Sequence, residues 1–208
     1  MDRKRVGIVV FENVEVLDFC GPFEVFSITR MNDANPNEAP SPFEVLLVAE
    51  RAGPVTTTGG MIVLPHFTFA NCPPLDILVV PGGWGTRKEL KNPVMLEWLR
   101  TQAAQAQIVT SVCTGSMLLG FAGLLDGLHA TTHWQALDWM RDSFPKVSVE
   151  YGKHFVVDGR VFTSAGISAG IDMALKVVAH YLGEDIARAS ARYMEYPYPE
   201  SDVRRIQI

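Results

Sequence analysis

Apolar residues fall into short runs separated by polar, Gly- and Pro-rich breaks, and the runs alternate between two kinds. Arg5-Val-Gly-Ile-Val-Val10 is continuous and β-branched, the pattern of a parallel strand buried on both faces. A loop follows, and Gly21-Pro22 opens an apolar segment to Met31, expected as a helix that starts at its proline. Residues 32–42 hold three prolines and little that is apolar, so a surface loop is expected. Phe43 to Ala49 predicts a strand, and Val55 to Pro65, with its Thr run and Gly59-Gly60, a hairpin or two short edge strands. Asp76 to Val80 is the next buried strand, ending in Pro81-Gly82-Gly83. Asn92 and Pro93 fit the N-cap and first position of a helix through Ala104. Gln107 to Val112 is again a strand, and Cys113-Thr-Gly-Ser116 leads straight from it into a helix, Met117 to Ala122.

Beyond this, Trp134 to Asp142 predicts a helix. Residues 147–151, 154–157 and 160–163 predict strands, the last two turning at Asp158-Gly159. Gly166 to Leu182 is amphipathic, with Ile171, Leu175, Val178 and Leu182 on one face, and Glu184 to Glu195 is a final helix. Strands that alternate with helices imply a mainly parallel sheet covered on both faces. Reactive groups in such α/β folds gather at the carboxyl ends of strands. Asp18 lies beyond the first strand, Gly82-Gly83 ends another, and Cys113 ends a third.

Composition narrows the class. At 208 residues, 48% hydrophobic and 20% charged, the chain fits one globular domain, with no linker or internal repeat. Net charge is −5 and the cations are scattered, which argues against a nucleic-acid partner. No apolar run approaches the roughly 20 residues that span a bilayer, so no membrane partner is expected. Arg3-Lys-Arg5 precedes an apolar run too short for a signal peptide. Three cysteines cannot all pair and lack metal-ligand spacing, so a reduced, cytoplasmic protein without a metal is expected.

Cys113 is the first candidate for chemistry. A sharp strand-to-helix turn projects the side chain outward, and the helix N-terminus favours a thiolate. This is the geometry of a nucleophile elbow, in which the next N–H can also stabilise an oxyanion. A buried cysteine packing as a small hydrophobe is the alternative, and Cys20 and Cys72 are read that way. Asp18 sits in the apolar run Val16-Leu-Asp-Phe19, where desolvation raises a carboxyl pKa; it would otherwise cap a helix beginning near Gly21.

Three motifs extend this reading: Val79-Val-Pro-Gly-Gly83, Val112-Cys-Thr-Gly-Ser116 and Ala130-Thr-Thr-His-Trp134. In order and spacing the chain resembles the PfpI/ThiJ superfamily, relatives of the class I glutamine amidotransferase fold. The resemblance runs from the first strand to Gly166-Ile-Ser-Ala-Gly170. It implies a flavodoxin-like three-layer sandwich and a homodimer with sites near the interface. Asp18, in Val16-Leu-Asp-Phe-Cys-Gly-Pro-Phe-Glu-Val-Phe26, takes the place of the acid beside the cysteine in many members. Leu-Asp, Cys-Thr-Gly and Ala-Thr-Thr-His-Trp together resemble the isonitrile hydratase branch. They also resemble the sensor half of arabinose-operon-type regulators, whose helix-turn-helix region is not seen before Ile208.

The activity so implied is hydration of an organic isonitrile to an N-substituted formamide, with no cofactor. Cys113 would be the nucleophile and Asp18 the proton donor. Gly83 and Thr114 would offer backbone N–H groups to an oxyanion, unless Gly83 serves only the turn and Thr114 only starts the helix. His133 would line the site or be purely structural, and Trp84 and Trp134 would wall a pocket or belong to the core. The alternatives are a hydrolase or glyoxalase-like enzyme using Cys113 with His133, and a cysteine-based redox or ligand sensor.

Overall fold

The computed structural model describes residues 3–31 and 39–207. The chain begins β1 (Lys4–Val9), α1 (Val16–Ile28) and β2 (Phe43–Ala49), followed by three two-residue strands, β3 (Val55–Thr56), β4 (Ile62–Val63) and β5 (Phe67–Thr68). The middle section is β6 (Ile77–Val80), α2 (Thr86–Glu89), α3 (Pro93–Gln105), β7 (Ile108–Val112) and α4 (Gly115–Phe121). Then come β8 (His129–Ala130), a 3-10 turn at Trp134–Ala136, α5 (Leu137–Ser143) and β9 (Ser148–Val149). The last elements are β10 (Phe155–Asp158), β11 (Val161–Ser164), α6 (Ala169–Leu182) and α7 (Glu184–Tyr193).

Seven strands form one sheet in the order β10-β11-β7-β6-β1-β2-β5, and every pairing is parallel except the β10–β11 hairpin. Every residue of β6, β7 and β11 is buried, so these strands carry no charge and no exposed polar face: β6 is wholly apolar, and β7 and β11 add only Thr and Ser. Helices cover both faces in a flavodoxin-like sandwich: α1, α6 and α7 pack together, and α3 packs with α4. From β1 the chain winds outward to β2, then returns to β6 and winds the other way through β7 to β11. The switch of direction lies between β1 and β6, where the carboxyl ends of such a sheet leave a crevice.

Several expectations change. Helix α1 starts at Val16 and ends at Ile28, so Pro22 lies inside it and Asp18 stands in its first turn rather than capping it. Pro22 cannot donate to the carbonyl of Asp18, but burial of Phe19, Val25 and Phe26 outweighs one missing bond. The loop expected at 32–42 falls mostly outside the described residues. Asn92 caps α3 as read, its Oδ1 accepting from the N–H groups of Val94 at 3.1 Å and Met95 at 3.4 Å. The hairpins β3–β4 and β10–β11 form as expected. Strands β5 and β8 and helix α2 are too short to leave a periodic signal. Among the described residues no helix is long and apolar enough to cross a membrane.

Gly115 decides how closely the turn after β7 approaches β6. A Cβ there would overlap the Val80 carbonyl, which cannot move without breaking the sheet. Gly115→Ala should therefore unfold at a temperature several degrees below the parent in a thermal melt. Gly152→Ala, where a Cβ meets nothing within 4 Å, should melt with the parent. Equal melting of the two variants would refute a steric role for Gly115.

Candidate active site

Cys113 leaves β7 with φ at +55°, a left-handed conformation rare for a side-chain-bearing residue. Three bonds hold this backbone. Its N–H donates to the Ala165 carbonyl at 3.0 Å, and its carbonyl accepts from the hydroxyls of Thr132 at 2.9 Å and Ser116 at 3.1 Å. The Ala-Thr-Thr-His motif thus acts from behind: Thr131 N–H bonds Thr163, and Thr132 anchors the elbow. Arg204, far along the chain, reaches the Thr131 hydroxyl and the Thr132 carbonyl.

Asp18 is wholly buried below the elbow. Its Oδ2 accepts from the Gly82 N–H at 2.9 Å, while Oδ1 is buried without a hydrogen-bond partner. Its carboxyl group lies against the Cys113 thiol. Burial, reinforced by the charge of Glu15, pushes the Asp18 pKa from 3.8 up to about 8, against the lowering influence of Gly82 and the thiol. Burial and the Asp18 charge likewise push the Cys113 thiol well above its ordinary value. This overturns the expectation of a preformed thiolate: the helix-start donors are present, but desolvation is larger. At pH 7 the pair is at rest as carboxylic acid and thiol, carrying protons rather than charge.

The sulfur nevertheless has donors waiting. The Thr114 N–H and hydroxyl and the Ile167 N–H lie against it and favour its anion. Ile167 is itself held at φ +53°, strained for a β-branched residue, and that backbone aims its N–H at the sulfur. Gly83, at φ +122°, gives its N–H to the Thr114 hydroxyl at 3.2 Å, which in turn accepts from Thr86 at 3.2 Å. The Gly83 N–H is therefore engaged within the protein, and an oxyanion would have to compete for it.

Cys113, Thr114, Gly83 and His133 line one cavity of about 210 Å³, with Asp18 beneath it. His133 accepts from the Gln135 N–H through Nδ1 at 3.3 Å, and burial together with Arg204 lowers its pKa, so its ring is neutral. No hydrogen bond joins His133 to Cys113 among the described residues. Trp84 walls the cavity as read, whereas Trp139 takes the place expected of Trp134. Sequence reasoning also missed Glu15, Arg87 and Ile167; only Ile167 left a signal, in its Gly166-Ile-Ser-Ala-Gly170 setting. Among the described residues no three His, Cys, Asp or Glu side chains are grouped to hold a metal ion.

The DJ-1/PfpI family model matches residues 4–180. The chain belongs to the DJ-1/PfpI family. Among its relatives, isonitrile hydratase of Pseudomonas putida is 40% identical over 200 residues, 95% of this chain and 81% of that one. The transcriptional regulator CdhR of Pseudomonas aeruginosa is 34% identical over 158 residues, 75% of this chain but 46% of its own length. A solved ThiJ/PfpI family protein from Pseudomonas syringae superposes with a TM-score of 0.83 at 31% identity, over 97% of this chain and 78% of that one. Enzymes and regulators thus share this DJ-1/PfpI scaffold, and assignment rests on the site.

Burying a protonated Asp18 has a measurable consequence. Between pH 3.8 and about 8 the folded protein keeps a proton that the unfolded chain releases, so stability is lost as pH rises through this window. Asp18→Asn carries no such proton. It should match the parent near pH 4 and exceed it by roughly 2–4 kcal/mol near pH 7 in urea unfolding. A gap that does not grow with pH would refute the raised pKa.

Proposed function

We propose that this protein hydrates an organic isonitrile to the N-substituted formamide through a thioimidate on Cys113. The observation that carries the reading is a fully buried carboxyl group, Asp18, set against the Cys113 thiol that lines a small cavity, an arrangement in which burial favours the protonated acid. The similarity to isonitrile hydratase supports it independently.

The terminal carbon of an isonitrile accepts both a proton and a nucleophile, and the pair offers one of each. Asp18 gives its proton to that carbon while the Cys113 sulfur adds to it, and the thiol proton passes to Asp18. The product, R–N=CH–S–Cys113, accounts for every atom of R–NC and the thiol. Sulfur charge developing during this transfer faces the N–H groups of Thr114 and Ile167. Water then adds to the thioimidate carbon, the carbon–sulfur bond breaks, and R–NH–CHO leaves with the thiol restored. Asp18 returns protons in each direction, so no cofactor takes part in the proposal.

A sensor role has one observation in its favour, the similarity to a transcriptional regulator. Against redox sensing, a buried thiol with a raised pKa has little thiolate to oxidise. A Cys–His hydrolase would require His133 to take the thiol proton, yet its Nδ1 is already occupied by Gln135.

The deciding assay follows formamide release from benzyl or cyclohexyl isonitrile. Cys113→Ala should abolish turnover, and His133→Ala should retain most of it. The kcat/KM of the parent should fall as pH rises through about 8, where Asp18 loses its proton. Turnover surviving in Cys113→Ala, or collapse in His133→Ala, would sink the mechanism. We also propose that the chain forms the homodimer implied by its family. Sedimentation equilibrium at micromolar concentration should give twice the 23.0 kDa chain mass, and a monomer would reject this.

A further inference from the structure

The charges around the cavity are unevenly disposed. Burial and Arg204 favour the neutral ring of His133, which leaves Glu15 and Arg87 as the charged side chains of the lining. Arg87 has an unusual setting. Its guanidinium carbon lies 4.3 Å from the centroid of the Trp84 ring and 5.8 Å from that of Trp139. Both tryptophans line the same cavity as Cys113. Among the described residues Arg87 makes no hydrogen bond and no ion pair, so its in-plane N–H donors are unspent. Aromatic rings against a guanidinium displace water from its faces but leave its edge available. That edge is a planar fork that matches a carboxylate with two parallel bonds.

Size and charge restrict the occupant. A cavity of about 210 Å³ falls below the ~300–1,000 Å³ that hold drug-sized ligands, so the substrate is small. One arginine with Glu15 in the same lining suits a single negative charge better than the two of a phosphate monoester. The isonitrile group itself is uncharged and reaches Cys113, which leaves the opposite end of the molecule for Arg87.

We infer that the cavity takes a small isonitrile bearing a carboxylate, bound at its tail by Arg87 held against Trp84 and Trp139, a reading that rests on the proposed isonitrile hydration. The product would then be an N-formyl amino acid or a homologue. Arg87 touches the substrate's tail and not the reacting carbon, so it governs selectivity among isonitriles.

The test compares isocyanoacetate with its neutral methyl ester, in the parent and in Arg87→Gln, a change at an exposed position. The anion should be the better substrate of the parent, and its kcat/KM relative to the ester should fall tenfold or more in Arg87→Gln. Arg87→Lys, which keeps the charge but not the fork, should restore only part of that ratio. A ratio unmoved by both substitutions would overturn the inference while leaving isonitrile hydration intact. If no isonitrile is turned over, hydration fails, and alkylation of Cys113 decides the anion site separately. Iodoacetate should then gain on iodoacetamide at Cys113, read by peptide mass spectrometry, in the parent relative to Arg87→Gln, with Cys20 and Cys72 in the same samples as internal controls. Equal reagent ratios in parent and variant would overturn the anion site as well.

Discussion

Placing a carboxyl group and a thiol together in a dry pocket is the constraint on which the rest of this structure depends. Burial alone opposes ionisation of each group, and the charge of an ionised Asp18 would oppose that of the thiol further. The fold accommodates them by keeping both protons. Gly82 supplies a single N–H to Asp18, enough to orient the carboxyl group but too little to ionise it at neutral pH. The donors that would stabilise an anion are placed instead around the sulfur, where the proposed reaction would develop charge. In the proposed reaction, ground-state neutrality and transition-state stabilisation would thus fall to different atoms.

This arrangement needs four strand ends to meet. Asp18 follows β1, Gly82 follows β6, Cys113 follows β7 and Ile167 follows β11, and three of these strands adjoin one another in the order β11-β7-β6, with β1 next. The direction of winding changes between β1 and β6, which opens the crevice at that point. Two side-chain-bearing residues, Cys113 and Ile167, are held in left-handed backbone there. Strain of this kind persists only where surrounding bonds dictate it, and the anchors from Ala165, Thr132 and Ser116 do so at Cys113. The Thr-Thr-His motif is therefore support for the elbow first and a wall of the cavity second.

Much of the fold was legible because buried parallel strands write themselves as apolar runs without alternation, unbroken in β6 and interrupted only by Thr110 and Ser111 in β7. The elbow was legible for a related reason, since a strand that becomes a helix with no loop leaves one residue on a sharp turn. What sequence misjudged were outcomes of competition. Pro22 suggested a helix start, yet packing of Phe19 and Phe26 carries α1 through it. The helix terminus suggested a thiolate, yet burial and Asp18 outweigh its donors. Trp139 and Arg87 could not be assigned to the cavity because nothing local marks which residues of α2 and α5 will face one another. Three-dimensional placement alone sets a tryptophan from one beside an arginine from the other.

Electrostatics then tie the floor of the cavity to its lining. Glu15 precedes α1, so its charge stands near Asp18 along the same helix start, and it raises the Asp18 pKa. The same carboxylate lines the cavity with Arg87 and offsets part of its charge. Removing Glu15 would therefore have two linked effects: a weaker hold of Asp18 on its proton, and a more positive cavity. A lining that were strongly cationic would attract anions more firmly but would also pull Asp18 toward ionisation, against the chemistry below it. Burial keeps the acid protonated, Glu15 adds to that hold, and in the proposed site Arg87 leaves a single fork for a single carboxylate. In the proposed site Glu15 therefore bears both on the proton of Asp18 and on the charge that Arg87 presents.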